Sequence, residues 1–407
     1  MIESQVAKYL EGLGRRRPLP LRVTLWDGRS VPLGDSPRVA IKMRSPAAAR
    51  HLLNPSLSAL GEAYVEGHID VDGSVREMID VAELLAREAD EDGGLGALPG
   101  WLSRHTRRSD KQSIEYHYDV SNEFYAAWLD PRMLYSCAYF DDGTESLEHA
   151  QLRKLDHILR KLRVEPGHVL LDVGCGWGGL AIRAAQAWGA RVVGITLSEN
   201  QHRLATERVR AAGLADRVEI RLQDYRDMPG EGVFDRISSV GMFEHVGLKN
   251  LPEYFRTIHR LLKPRGLAMN HGITASDADS RAVGLGAGDF IDKYVFPEGE
   301  LPHVSLAIRE LSAAGLELTD AESLRRHYAR TLWHWSDAFE ANLPRLTEMA
   351  GEKRTRIWRV YLAGSAHGFA QGWMNIYQLL AAKPADGQID QPLTRDYMYP
   401  SGVQPAA

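Results

Sequence analysis

Residues 169–179, VLLDVGCGWGG, constrain the fold more than any other stretch of the 407-residue chain. Val169 to Val173 reads as a strand covered on both faces, because it is almost wholly apolar. Gly174, Gly176 and Gly178 follow at once. Glycines there let the backbone turn tightly and let a ligand approach it closely. Taken alone, the pattern is open to an adenosyl or nucleotide site, to another ligand, or to a plain turn. Gly179 supplies the third glycine of a dinucleotide fingerprint, so spacing does not remove that reading. The next strand should then end in an acidic ribose partner, but it ends Gly194-Ile195-Thr196-Leu197-Ser198. No Gly-Lys-Ser/Thr follows, which excludes a phosphate-binding P-loop. Asp172, at the strand end, is expected to fix the loop backbone through its carboxylate.

Strand and helix patterns alternate from there. Helix is expected over Leu180 to Trp188, strand over Arg191 to Ile195, and helix over Glu199 to Ala212, closed by Gly213. Val218 to Leu222 and Phe234 to Val240 read as further strands. Leu251 to Leu262 reads as a helix ended by Pro264 and Gly266, and Leu267 to His271 as a fifth strand. This alternation defines a doubly wound α/β sheet. Ahead of it, Leu21 to Leu33 alternates around Asp27-Gly28, a hairpin signal, and Val39 to Met43 is another short strand. Helices over Ser45 to Leu53 and Val75 to Glu91 complete a small α+β module. The hinge EDGGLGALPG (91–100) and a basic stretch (101–113) separate the two. The expected domains are therefore residues 1–95, a linker at 96–115, a larger domain at 116–385, and a loose tail at 386–407. Residues 276–300 read as an insertion around a pocket, and 325–380 as aromatic-rich helix.

With 49 basic and 54 acidic side chains, the formal charge of −5 speaks against a nucleic-acid binder. Cys137 and Cys175, the two cysteines, read as reduced thiols of a cytosolic protein. No four-ligand metal pattern is present. The polar start and the lack of any run near 18 apolar residues leave only peripheral membrane contact.

In an open α/β sheet, ligands bind beyond the carboxyl ends of the strands. Glu244, in GMFEHVG after the fourth strand, and His271, in the fifth, fall there. A carboxyl and an imidazole so placed can orient a proton acceptor. His245 reads as structural. Aromatics crowd SIEYHYDVSNEFYAAWL (113–129) and MLYSCAYF (133–140), either as core or as a lid. Ring faces beside a sulfonium contribute about 0.5–2 kcal/mol. Cys137 has no base beside it in sequence. Phe290, Tyr294, Phe296, Tyr328, Trp333, Trp335, Tyr361, Trp373 and Tyr377 could line an apolar tunnel or form an ordinary core.

The chain resembles the cyclopropane-fatty-acyl-phospholipid synthases and the related cyclopropane mycolic acid synthases. The matching stretches are YHYDVSNEFY (116–125), YSCAYF (135–140), LLDVGCGWGGLA (170–181), GITLSENQ (194–201), VGMFEHVG (240–247), RLLKPRG (260–266), FIDKYVFPEGELP (290–302) and HYARTLWHW (327–335). They run in family order, and several are absent from methyltransferases generally. GEAYVEGHID (61–70) resembles the extra N-terminal domain of the phospholipid branch. Glu298 stands where a glycine is common.

The resemblance implies a class I S-adenosylmethionine-dependent methyltransferase sheet. The donor contacts would be Tyr135, Ser136, Asp172, Gly174, Gly176, Gly178, Thr196, Leu197 and Gln201, with Asp224 and Tyr225 near the adenine. It also implies a bicarbonate ion held by Cys137, Glu244, His271, Ile273 and Tyr328, with Cys137 and Ile273 acting through their backbones. The acyl chain would meet Phe243, Phe290, Tyr294, Phe296, Trp333, Tyr361 and Tyr377. The implied reaction is methylene transfer to the cis double bond of an unsaturated phospholipid in a bilayer. The implied setting is a cytoplasmic homodimer on the inner face of the cell membrane. Rival readings are a methylene- or methyl-branched product, a small-molecule methyltransferase, and a lipid-binding protein on this scaffold.

Overall fold

A computed structural model describes residues 2–53, 55–91, 121–279, 287–296 and 299–399. The expected hinge, basic stretch and linker fall outside these residues. So do Tyr116 to Val120, Gly284, Gly286, Glu298 and the last eight positions. The described residues form two compact units. The first gathers residues up to 91 with 287–296 and 336–367. The second holds 121–279, 299–335 and 368–399. Two segments expected within the larger domain, 287–296 and 336–367, thus pack in the smaller unit.

The smaller unit is built on four strands: β1 (Leu21–Thr24), β2 (Ser30–Pro32), β3 (Val39–Met43) and β4 (Ile69–Asp72). Their order is β2-β1-β3-β4. The Asp27-Gly28 hairpin forms as expected. Gly28 takes φ +88°, and the Asp27 carboxylate accepts the Arg29 amide. Leu21, Val23, Leu25, Val31 and Leu33 alternate into the core. A helix over Ile2–Arg16 was not expected from its polar composition. It buries Val6, Ala7, Leu10 and Leu13 along one stripe.

The motif GEAYVEGHID closes this unit upon itself. A Cβ at Gly61 would sit 2.9 Å from the Phe290 ring, so only glycine lets helix Leu57–Val65 meet helix Ala287–Tyr294. Glu62 pairs with Lys293, and Glu66 accepts from Tyr294 and Lys353. Arg356 stacks over the Tyr64 ring at 4.8 Å and reaches Asp70. Arg359 grips Glu340 through two bonds and donates to the Tyr64 hydroxyl.

The larger unit has seven strands: β5 (Val169–Val173), β6 (Arg191–Thr196), β7 (Val218–Leu222), β8 (Phe234–Val240), β9 (Leu262–Ala275), β10 (Glu317–Ser323) and β11 (Met374–Ala382). The order is β10-β11-β9-β8-β5-β6-β7. β5 pairs in parallel with both β6 and β8, so the chain reverses its direction of travel between them. Residues of one strand alternate between two cores. Leu267 and Met269 face the helices Leu147–Lys161 and Gly179–Trp188, whereas Ala268 faces Leu251–Leu261 and Val304–Ala313.

β11 corrects the expectation of helix through residue 380. Met374–Ala382 is antiparallel to both neighbours and buried on both faces. Its sequence MNIYQLLAA is mostly apolar without strict alternation, and such a run does not separate strand from helix. β10, polar and half-exposed, gave no strand signal at all. The tail is not loose up to residue 399: Met398 is buried in the core, and Arg395 pairs with Asp320. No helix among the described residues is long and apolar enough to cross a membrane.

The packing at Gly61 sets a stability test. Gly61→Val should lower the unfolding free energy of this unit by about 1–3 kcal/mol. Gly12, with open space around the position of a Cβ, should gain roughly 0.5–1 kcal/mol as Gly12→Ala. Urea unfolding followed by circular dichroism reads both; a neutral Gly61→Val would contradict the packing.

Candidate active site

The carboxyl ends of β5, β6 and β8 surround one cavity. It is lined by Gly174, Thr196, Leu197, Gln201, Asp224 and Tyr225, all expected contacts, and by Met242, His245 and Arg226, which the sequence reading did not select. The glycine turn is what opens it. Gly174, Gly176 and Gly178 take φ of +77°, +53° and +81°. The amides of Gly174 and Cys175 both donate to the Ile195 carbonyl, folding the loop onto the end of β6. A Cβ at Gly174 would lie 3.0 Å from Met242 and would fill part of the space. Thr196 donates to Gln201 at 2.8 Å, joining β6 to the first turn of helix Glu199–Ala211.

Asp224 caps the 3-10 turn Tyr225–Asp227 through the Arg226 amide. The Arg226 guanidinium grips the same carboxylate at 2.9 and 2.7 Å. Asp172 behaves otherwise than expected. Its carboxylate accepts from Ser238 on β8 at 2.7 Å and is 2% exposed, so it ties β5 to β8 instead of holding the loop backbone. Burial raises it to about 6, against the Ser238 bond and the charge of Lys154.

Among the buried side-chain polar atoms without a protein partner are one on Glu244 and one on His271. Glu244, in the 3-10 turn after β8, accepts the Ile273 amide at Oε1 (2.7 Å), while its Oε2 is unpaired. His271 is fully buried on β9. Its Nδ1 meets Gln378 Nε2 at 3.2 Å, and its Nε2 is unpaired. With the amide nitrogen as donor, Nδ1 accepts and Nε2 carries the proton. Burial, then the charges of Lys154 and Lys161, hold His271 down at about 3, so the ring is neutral. Burial pushes Glu244 up to about 7, opposed by the amides it accepts. The neutral imidazole thus offers an N–H donor, and the carboxyl, which titrates near neutrality, offers an O–H donor in its protonated form. In that form the pair fits a small anion, which a charged carboxylate would repel.

Cys137 is buried, and its thiol is pushed far up by burial, so it is no nucleophile. Tyr328, on helix Arg325–Ala341, packs edge-on against Trp335 at 6.0 Å and against Phe369. Tyr125, Trp128, Tyr135, Trp177 and Trp335 form one aromatic cluster with ring centres 5.2–5.9 Å apart. Of the expected acyl-chain contacts, Phe243 is a core residue, 1% exposed and packed on Gly272. Trp333 and Tyr377 are half-buried in the larger unit. Phe290, Tyr294, Phe296 and Tyr361 lie in the smaller unit.

This sheet order, with one reversed strand and a glycine turn at its switch point, defines a class I S-adenosylmethionine-dependent methyltransferase. The family model "Mycolic acid cyclopropane synthetase" matches residues 105–379, and the chain belongs to that family. A second model, "Domain of unknown function (DUF7884)", matches residues 9–89. The "Probable fatty acid methyltransferase" of Pseudomonas putida is 50% identical over 94% of this chain and 96% of its own. The "Cyclopropane-fatty-acyl-phospholipid synthase" of Escherichia coli is 40% identical over 66% of each. The solved mycolic acid cyclopropane synthase CmaA1, complexed with SAH and CTAB, superposes with a TM-score of 0.64 at 34% identity. The match covers 69% of this chain and 99% of that one.

The raised Glu244 carboxyl makes a signed prediction. Its contribution to stability is fully present below about 4.5 and is lost as pH rises through about 7. Glu244→Gln should therefore gain stability relative to the parent between those values, by roughly 3 kcal/mol, then level off. Paired denaturant titrations across pH 4–8 measure it; a gap that does not change with pH would contradict a buried, ionising carboxyl.

Proposed function

We propose that the chain transfers a methylene unit from S-adenosylmethionine to the cis double bond of an unsaturated phospholipid acyl chain, forming a cyclopropane. The observation that carries this reading is the pair of unpaired donors, Glu244 Oε2 and His271 Nε2, buried after β8 and in β9. A buried polar group left unsatisfied costs about 1–3 kcal/mol, and these two titratable groups stand at the carboxyl-end side of the sheet, where a bound ligand would offset that cost. Bicarbonate, when bound there, supplies a base for the last proton. Glu244, His271 and Tyr328 would orient it, with the backbones of Cys137 and Ile273 beside it.

The cavity residues hold the donor so that its methyl carbon faces the alkene. The alkene π pair forms the new carbon–carbon bond, and the carbon–sulfur pair returns to sulfur, leaving S-adenosylhomocysteine. The neighbouring carbon becomes cationic. Loss of a proton from the new methyl group releases the electron pair that closes the ring. Aromatic side chains would surround that cation without attacking it, and exclusion of water prevents hydroxylation. The bilayer substrate, a peripheral position on the inner membrane face and a homodimer belong to the same proposal.

A methyl- or methylene-branched product is the second reading. It is favoured by the Pseudomonas putida relative, named for fatty acid methylation, which spans nearly the whole chain. Ring and alkene are isomers of equal mass, so NMR of the product must separate them.

Incubation with unsaturated phospholipid vesicles and methyl-labelled donor should give cyclopropane resonances; methylene resonances would replace the first reading with the second. Glu244→Ala and His271→Ala should each cut turnover by about 10²–10⁴-fold. Donor affinity should change by no more than a few-fold. Parallel calorimetry and rate measurements decide this, and equal loss of both quantities would remove these residues from the chemistry.

A further inference from the structure

Lys154 lies on helix Leu147–Lys161 and is 1% exposed. Its Nζ donates to Ser136 Oγ at 2.7 Å, and no ion pair holds it among the described residues. Burial lowers it to about 8, opposed by Asp130, Cys137 and Asp172, so it is charged at neutral pH. A buried, unpaired ammonium costs stability, and although its charge helps keep His271 neutral, its hydrogen bond to Ser136 has no part in the mechanism above.

An ammonium has donors only, so Ser136 Oγ is the acceptor and its own O–H must point elsewhere. No protein acceptor for that proton exists among the described residues. Ser136 is half-buried, whereas the groups behind it are closed off. Gln151, fully buried, donates to the carbonyls of Leu134 and Ser136 at 3.1 and 2.9 Å. Arg208 ties the carbonyls of Arg132 and Trp177 together, and Leu134 packs where Gly179 has no side chain. The segment is thus fixed from behind and lies against the opening of helix Gly179–Trp188. That helix starts at Gly178 with no side-chain cap, and its first amides favour a negative group.

We propose that Lys154 is a positioning residue whose ammonium holds the Ser136 hydroxyl turned outward to donate to the α-carboxylate of S-adenosylmethionine. This rests on the glycine turn being the donor site. To the expected Ser136 contact it adds the residue that orients its hydroxyl, Lys154.

Calorimetry with S-adenosylmethionine and with its decarboxylated analogue tests it, because the analogue keeps the sulfonium, the amine and the adenosine. Lys154→Met and Ser136→Ala should each weaken S-adenosylmethionine binding about tenfold, and the double variant no further. Binding of the analogue should move less than about twofold in all three. Lys154→Arg should restore most of the affinity. The parent should lose donor affinity as pH rises through about 8, and Lys154→Arg should lose less over that range. Equal weakening toward both ligands, or additive losses in the double variant, would overturn the proposal. Should Lys154→Met fail to fold, Ser136→Ala and the pH comparison still decide. A parent that binds neither ligand would instead sink the donor-site reading beneath it.

Discussion

One hydrogen bond, from the Ile273 amide to Glu244 Oε1, decides what the end of the sheet can do. It draws the turn after β8 down onto β9 and leaves the second carboxyl oxygen buried without a protein partner. The His271 ring is held in the same manner from its other side by Gln378, across the β9–β11 ladder. Neither group can satisfy itself by rotating, because its first polar atom is already engaged. Burial then does the chemical work. It keeps the imidazole neutral and raises the carboxyl toward neutrality, so the ring is an N–H donor and the carboxyl, once protonated, an O–H donor. The β11 strand, which supplies Gln378, is therefore part of the site's chemistry as well as of the sheet.

The parallel half of the sheet was legible because parallel strands, covered on both faces, read as short apolar runs between helical periods. β5, β7 and β8 fall on the expected residues. What failed had a common cause. β10 is polar, β11 is mostly apolar but lacks strict alternation, and helix Ile2–Arg16 hides its apolar stripe among charges. Each owes its state to partners far away in sequence, and local pattern carries no trace of them. Within the site, glycines and strand ends identified the cavity, but the partners of Asp172 and Glu244 could not be read. Ser238 and Ile273 are ordinary residues whose roles come only from sheet register.

GEAYVEGHID shows the same limit in another form. The motif is recognisable as a signature, yet nothing in its ten residues says what it does. In the structure its charges are turned inward upon the unit. Gly61 admits Phe290, Tyr64 lies under Arg356, and Asp70 accepts from Arg44 and Arg356. A motif read as a mark of the phospholipid branch thus has a sufficient physical explanation as a clasp for segments 287–296 and 336–367. Contact with lipid would have to come from other surfaces of this unit.

Aromatic density needs the same care. A ring stabilises a cation only with a face it can present, and a face already covered by another ring cannot serve. Tyr125, Trp128, Trp177 and Trp335 are at most 3% exposed and spend their surfaces on one another. Tyr135 is the half-buried member of the five, set among Tyr125, Trp128 and Trp335. The cluster is therefore better understood as a rigid mount than as a box of equivalent faces. Its four closed members fix the orientation of the fifth, and of these five rings Tyr135 is the one with surface left to present. Rigidity of this kind also matters to Ser136, the next residue. Its hydroxyl can be aimed only because the backbone on either side of it cannot move.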